Sequence, residues 1–151
     1  MCKVFDEFSI FVAVKCVDMG KKEGFSVEMT SKFGEFWRYN LLVTCGCIDE
    51  NGNQVGFASV DDEVAPVGSN LEHSPEGYPA KRVVGFETAA CHHLLMFIYV
   101  IPNSIRLGCI DDEMTFDLDL RVAREGKVVA HRTLEVNRWA GATFELRIDG
   151  E

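Results

Sequence analysis

Phe116-Asp117-Leu118-Asp119-Leu120-Arg121-Val122 alternates apolar and charged residues without a break. Successive side chains of a β-strand point to opposite sides, so the stretch reads as a strand with one face on a core and one in water. Arg124-Glu125-Gly126-Lys127 supplies a turn, and the chain returns with Val128, Ala130, Leu134 and Val136 expected on one face. Thr143-Phe144-Glu145-Leu146-Arg147-Ile148 repeats the two-residue period.

The same signal extends upstream. Ser9 to Val14 is dense in β-formers, and Phe36 to Cys47 reads as one long strand. Asp49-Glu50-Asn51-Gly52-Asn53 follows as a turn in which Asn-Gly is expected to supply positive φ angles, and Gln54 to Val60 returns as its hairpin partner. Lys81 to Glu87 and His92 to Ile101 bring the total to about eight or nine strands. Helix evidence is confined to Ser26–Phe36, where Val27, Met29, Phe33 and Phe36 are loosely spaced; Gly34 and the β-branched residues weaken it. The expectation is an all-β fold with at most one short helix: one domain over residues 1–151, built as a two-sheet antiparallel β-sandwich. Jelly-roll, C2-like and immunoglobulin-like arrangements all fit.

Composition agrees with a folded domain. The chain has 151 residues, 47% apolar and 26% charged, enough to fill a core without a disulfide or structural metal. Its net charge of −9 repels polyanions, and no run of Lys or Arg exceeds the pairs Lys21-Lys22 and Lys81-Arg82, so nucleic acid is excluded as a partner. An anionic membrane is disfavoured unless a bound cation reverses the local sign. The longest apolar run, Leu94 to Ile101, is far shorter than the roughly 20 residues a spanning helix needs. Acidic Asp6 and Glu7 and the lack of a cleavage pattern argue against a signal peptide. Cys2, Cys16, Cys45, Cys47, Cys91 and Cys109 make an even count, but four lie in or beside apolar strand patterns. Reduced, buried thiols and a cytoplasmic protein are expected.

Candidate chemistry is sparse. Asp49-x-Asn51-x-Asn53 resembles the start of a calcium-binding loop, yet Gln54 stands where that loop needs Gly and Val60 where it needs Glu. The hairpin accounts for these residues better. Two acidic triplets, Asp61-Asp62-Glu63 and Asp111-Asp112-Glu113, fall at strand ends. If their loops converge, Asp61, Asp62, Asp111 and Asp112 supply oxygens for calcium, and with it a ligand- or membrane-binding site; acidic strand ends also serve simply to keep edges soluble. Cys91-His92-His93 is the densest group of soft ligands. With Cys45 and Cys47 it offers zinc ligands or a Cys/His enzyme site, but the spacing lacks C-x2-C pairs, and His92 and His93 are expected on opposite sides of a strand. Asp61 to Ala80 holds three of the four prolines and five acidic residues without a Lys or Arg, and is expected as a long loop.

Leu94 to Ile101 breaks the alternation. Leu94, Met96, Ile98 and Val100 form one side; Leu95, Phe97, Tyr99 and Ile101 form the other. A two-layer sandwich buries only one set, and the wet-tolerant hydroxyl of Tyr99 points to the odd set as the outer one. That set needs a cover: the 61–80 segment, a helix near residue 30, or a partner. Trp139, in Asn137-Arg138-Trp139-Ala140-Gly141, is either a further anchor or an end cap of the core. The expected function is a non-enzymatic binding or assembly module acting on a protein partner or a second copy through Leu95, Phe97, Tyr99 and Trp139. Calcium-dependent binding and a Cys/His or metal enzyme at residues 91–93 are the alternatives.

Overall fold

A computed structural model describes residues 24–104 and 114–150. Eight strands are seen among them: β1 Ser26–Thr30, β2 Tyr39–Ile48, β3 Gln54–Asp62, β4 Val84–Glu87, β5 His93–Pro102, β6 Thr115–Arg124, β7 Lys127–Asn137 and β8 Ala142–Asp149. Every pairing is antiparallel. The strands form two four-stranded sheets, ordered β4-β1-β6-β7 and β3-β2-β5-β8. β3 lies beside β4 and β7 beside β8, so the two sheets meet along both margins. The fold is the expected all-β two-sheet sandwich. No helix among the described residues is long and apolar enough to cross a membrane. The stretch Ser9–Val14 and Cys2, Cys16, Cys109, Asp111 and Asp112 lie outside the described residues.

The core follows from the period of two. Met29, Leu41, Val43, Leu94, Met96, Ile98, Leu118, Leu120 and Val122 all lie at 0–1% exposure or less between the sheets. Each such side chain contributes about 1.5–3 kcal/mol of burial. At one end an aromatic cluster closes the sandwich, with Phe33 stacked on Phe116 at 4.7 Å and Tyr39 against Phe116 at 4.8 Å. The Tyr39 hydroxyl donates to the carbonyl of Arg138, and burial pushes its phenol up to about 12.

Several local expectations are corrected. Ser26–Phe36 holds no α-helix. Val27 and Met29 are buried alternately with exposed Ser26 and Glu28, the period of a strand, and the helical turn is a single 3₁₀ turn at Phe36–Arg38. The long strand accordingly starts at Tyr39. In the β2–β3 turn only Gly52 takes a positive φ, +85°; Asn51 does not. The turn is clamped by Asp49, whose Oδ1 accepts from the amides of Asn51 and Asn53, both at 2.9 Å. Val128 does not share the inner face of β7. Ala123 pairs with Val128 while Val122 pairs with Ala130, so Val129 is a one-residue bulge and packs on the core, leaving Val128 exposed. At the β6–β7 turn Glu125 and Gly126 both have positive φ, the type I′ geometry that suits a two-residue hairpin.

Candidate interaction face

The non-alternating strand is β5, and its two sides have different fates. Leu94, Met96, Ile98 and Val100 point into the core; Leu95, Phe97, Tyr99 and Ile101 point away from it. Residues directly opposite across antiparallel strands share a side. Leu95 lies across from Gly46 and Arg147, Phe97 from Thr44 and Glu145, Tyr99 from Leu42 and Thr143. On β3, Phe57 faces Gly46 and Asp61 faces Leu42. Phe57, Leu95, Phe97, Leu42, Tyr99 and Ile101 therefore make one apolar surface on the outside of the β3-β2-β5-β8 sheet. Phe57 is 64% exposed, Leu95 40% and Ile101 36%. Its margins are polar: Ser59 and Asp61 on β3, Thr143, Glu145 and Arg147 on β8.

The outer face of the other sheet differs in kind. Its cross-strand rows are Glu28, Arg121 and His131; Thr30, Asp119 and Thr133; Asp117 and Glu135. One sandwich thus presents a charged face and an apolar face.

The internal covers expected from sequence leave Phe57, Leu95 and Ile101 of the apolar face exposed. The supposed helix near residue 30 is β1, in the opposite sheet. The 61–80 segment reaches only one corner. There the Asn40 side chain donates to the Ala65 carbonyl at 2.7 Å and accepts from the Val64 amide at 2.8 Å, while Arg38 donates to the Leu71 carbonyl at 2.9 Å. Trp139 is half-buried in the β7–β8 turn, beyond the Tyr99 end of the face, where Asn137 Oδ1 accepts from its amide at 2.9 Å. The same turn holds Gly141 at φ +74° against the Val100 carbonyl.

Phe57 and Leu42 were not foreseen on this face. Leu42 is hidden in a strand that looks apolar throughout. Phe57 depends on a bulge at Val55: Cys47 pairs with Gly56 and Ile48 with Gln54. That extra residue turns Gly56, Ala58 and Val60 inward and Phe57 outward. No residue within β3 marks that insertion in the sequence.

The other candidate groups are placed as follows. Asp61 and Asp62 project to opposite sides of β3, and Asp62 is held by Arg82 at 3.1 Å. Asp111 and Asp112 lie outside the described residues. Among the described residues no group of three or more His, Cys, Asp or Glu side chains is arranged to hold a metal ion. Cys45, Cys47 and Cys91 are buried and unbridged. A hydrogen bond with Cys45, together with burial, pushes the Cys47 thiol up, and burial first pushes Cys91 up to about 12. Thiols held protonated at neutral pH are poor nucleophiles and poor metal ligands. His92 and His93 were expected to diverge but converge, with their Nδ1 atoms 3.0 Å apart. The reason is that β5 starts at His93, while His92 precedes it and donates its amide to the Ile48 carbonyl at 2.9 Å. Burial lowers the pKa of His93, helped by Arg147 and His92. A cavity of about 520 Å³ opens between Asp62, Tyr78, Lys81 and Arg82, but its Asp62 and Arg82 are bound to each other.

No protein-family model matches the chain, and no curated protein matches it. Two solved structures are similar. One is a DUF4425 family protein from Bacteroides ovatus, 14% identical with a TM-score of 0.38, covering 83% of this chain and 93% of that one. The other is a domain of unknown function, DUF4425, from Bacteroides vulgatus, 12% identical with a TM-score of 0.44, covering 86% of this chain and 98% of that one.

Proposed function

We propose that the protein is a non-enzymatic binding module that takes a polypeptide partner on the outer face of the β3-β2-β5-β8 sheet. The observation that carries the reading is the asymmetry of the two outer faces, one charged and one apolar with charged margins. Large aromatic and aliphatic side chains in the middle and polar groups at the rim is the anatomy of a protein-binding patch. Leu95, Phe97 and Tyr99 form its centre with Phe57; Trp139 borders it. The protonated, buried thiols support a role without nucleophilic chemistry, and their unbridged state supports a reducing compartment such as the cytoplasm.

The test uses peptides selected from a random library on the immobilised protein. Phe57→Lys together with Leu95→Lys places two charges in the patch, and selected peptides should bind this variant at least about tenfold more weakly, since 1.4 kcal/mol already gives that factor. Equal binding to the variant and the parent would place the binding surface elsewhere.

A further inference from the structure

The apolar face is stepped along its two inner strands. Gly46 leaves a hollow in β2, where an added Cβ would meet nothing nearer than the Gln54 and Ile48 side chains at 3.7 Å. Leu95 stands beside that hollow on β5 and is 40% exposed. The next row sets Thr44 on β2 beside Phe97 on β5, and the one after it Leu42 beside Tyr99. In each row the smaller side chain is on β2 and the larger on β5. The face is therefore a low strand next to a high one, and what fills it must carry the opposite step.

The same surface turned over carries that step. A second copy is rotated by 180° about an axis lying in the face, along the mean strand direction, between β2 and β5. Its β5 then lies over β2 of the first copy and its β8 over β3. Leu95 of each copy covers Gly46 of the other, Phe97 covers Thr44 and Tyr99 covers Leu42. A two-fold axis makes each of these contacts twice. Twisted sheets packed face to face cross at about 30°, and the axis bisects that angle. The other in-plane axis, perpendicular to the strands, lays β2 on β2 and β5 on β5. Hollow then faces hollow and ridge faces ridge, whichever row it passes through.

The rim is suited to the first rotation as well. β3 presents Phe57, Ser59 and Asp61 outward, and β8 presents Arg147, Glu145 and Thr143 in the matching rows. Across the axis the guanidinium of Arg147 comes over the Phe57 ring of the other copy. The Ser59 hydroxyl meets the Glu145 carboxylate as a donor, and the Thr143 hydroxyl meets that of Asp61. In none of these three rows do like charges meet.

We propose that the partner this face takes is a second copy of the chain, bound face to face in a symmetric dimer. This rests on the reading of the face as a polypeptide-binding surface and names its occupant. Four strands about 4.8 Å apart, and outward rows about 6.8 Å apart from Leu95 to Ile101, bound a face of roughly 400 Å². Stable interfaces take about 800 Å² from each partner, so the dimer is weak, reversible and dependent on concentration.

The test is sedimentation velocity of the purified chain from about 1 µM to about 1 mM, the range in which weak association is read. Circular dichroism checks the fold of each variant. The parent should pass from monomer to dimer across the range. Leu95→Lys, at an exposed position, should weaken the dimer at least about tenfold. Gly46→Leu fills the hollow and Leu95→Ala lowers the ridge, so each should weaken self-association. Gly46→Ala, whose Cβ has ordinary room within its own chain, is the smaller second variant at that position. Mixed in equal amounts, Gly46→Leu and Leu95→Ala should form a heterodimer at least about fivefold tighter than either homodimer. The heterodimer keeps one contact of Leu95 on Gly46 and sets the enlarged position of one chain against the reduced position of the other. A parent that stays monomeric throughout would overturn the proposal, and the library peptides would then decide separately whether the face binds polypeptide at all. A dimer that Leu95→Lys leaves unchanged would overturn it by placing the contact elsewhere. So would a heterodimer no tighter than the homodimers, because the rotation that brings Leu95 over Gly46 would then be wrong.

Discussion

Replacing Arg82 with Met should cost the protein about 3 kcal/mol, because this one side chain holds together three segments by the edge of the apolar sheet. Its Nη1 donates to the carbonyls of Phe36 at 3.0 Å and Tyr39 at 2.8 Å. Its Nη2 donates to the Asp62 carbonyl at 3.2 Å, and its Nε to the Asp62 carboxylate at 3.1 Å. The guanidinium also lies 4.4 Å over the Phe36 ring. Methionine keeps a flexible apolar stem against that ring and removes every donor. Breaking a buried charged pair by deleting one partner costs about 3–5 kcal/mol, and each buried acceptor left open adds about 1–3. These do not sum. The Asp62 side chain is 37% exposed, so water recovers part of the loss at the carboxylate. About 3 kcal/mol remains, which for a domain of this length is about 9 °C in melting temperature.

The assay is thermal and urea denaturation followed by circular dichroism. Arg82→Lys is the companion variant. A single ammonium cannot face acceptors on the 3₁₀ turn, β2 and β3 at once, so lysine should recover less than half of the loss. A melting point within about 2 °C of the parent for Arg82→Met would refute the reasoning, since effects that small belong to surface substitutions.

Gly141→Ala should destabilise by about 2–3 kcal/mol in the same assay, because φ is +74° and the new Cβ would meet the Val100 carbonyl at 2.1 Å. Stability should decline with acid in a window set by His93. Burial holds its folded pKa below the ordinary histidine value of about 6.5, so the unfolded chain takes up the proton first, and stability present above about pH 6.5 is lost as pH falls below it. His93→Gln should flatten that part of the profile, and an unchanged slope would assign the loss to other groups. Site-resolved alkylation with iodoacetamide at neutral pH should leave Cys47 and Cys91 unmodified in the folded protein and label both in urea; rapid labelling in the folded protein would mean that these thiols are neither buried nor protonated.

The two-sheet plan was legible because local period decides strand faces. In β6 the alternation of Asp117, Asp119 and Arg121 with Leu118, Leu120 and Val122 is carried unchanged into burial. The outward direction of Leu95, Phe97 and Tyr99 was legible for a related reason: a strand with two apolar sides must present one, and the side with a hydroxyl is the cheaper to wet. What escaped depends on register. A bulge at Val55 sends Phe57 outward and one at Val129 exposes Val128, and neither insertion has a signal inside its own strand. Arg82 escaped because its acceptors lie 43 and 46 residues upstream. His92 and His93 were misjudged because their divergence assumed both in a strand, and the strand begins between them.

The placement of charge on the β3-β2-β5-β8 sheet bears on how a polypeptide would bind there. Exposed strand edges invite another strand, and proteins blunt them with charges and bulges. Both outer strands of this sheet are blunted in that way. β3 carries the bulge at Val55 and ends in Asp61 and Asp62, while β8 carries Glu145, Arg147 and Asp149. The inner strands are paired on both sides over Leu41–Ile48 of β2 and His93–Val100 of β5, yet Leu42, Leu95, Phe97 and Tyr99 point outward there. Edge addition is disfavoured where it would be easiest, and side-chain packing is favoured where the backbone is already satisfied. On the proposed reading, a partner would therefore be recognised through large apolar side chains instead of through main-chain hydrogen bonds. Scrambling the order of such side chains in a bound peptide should then weaken binding more than methylating its backbone amides does.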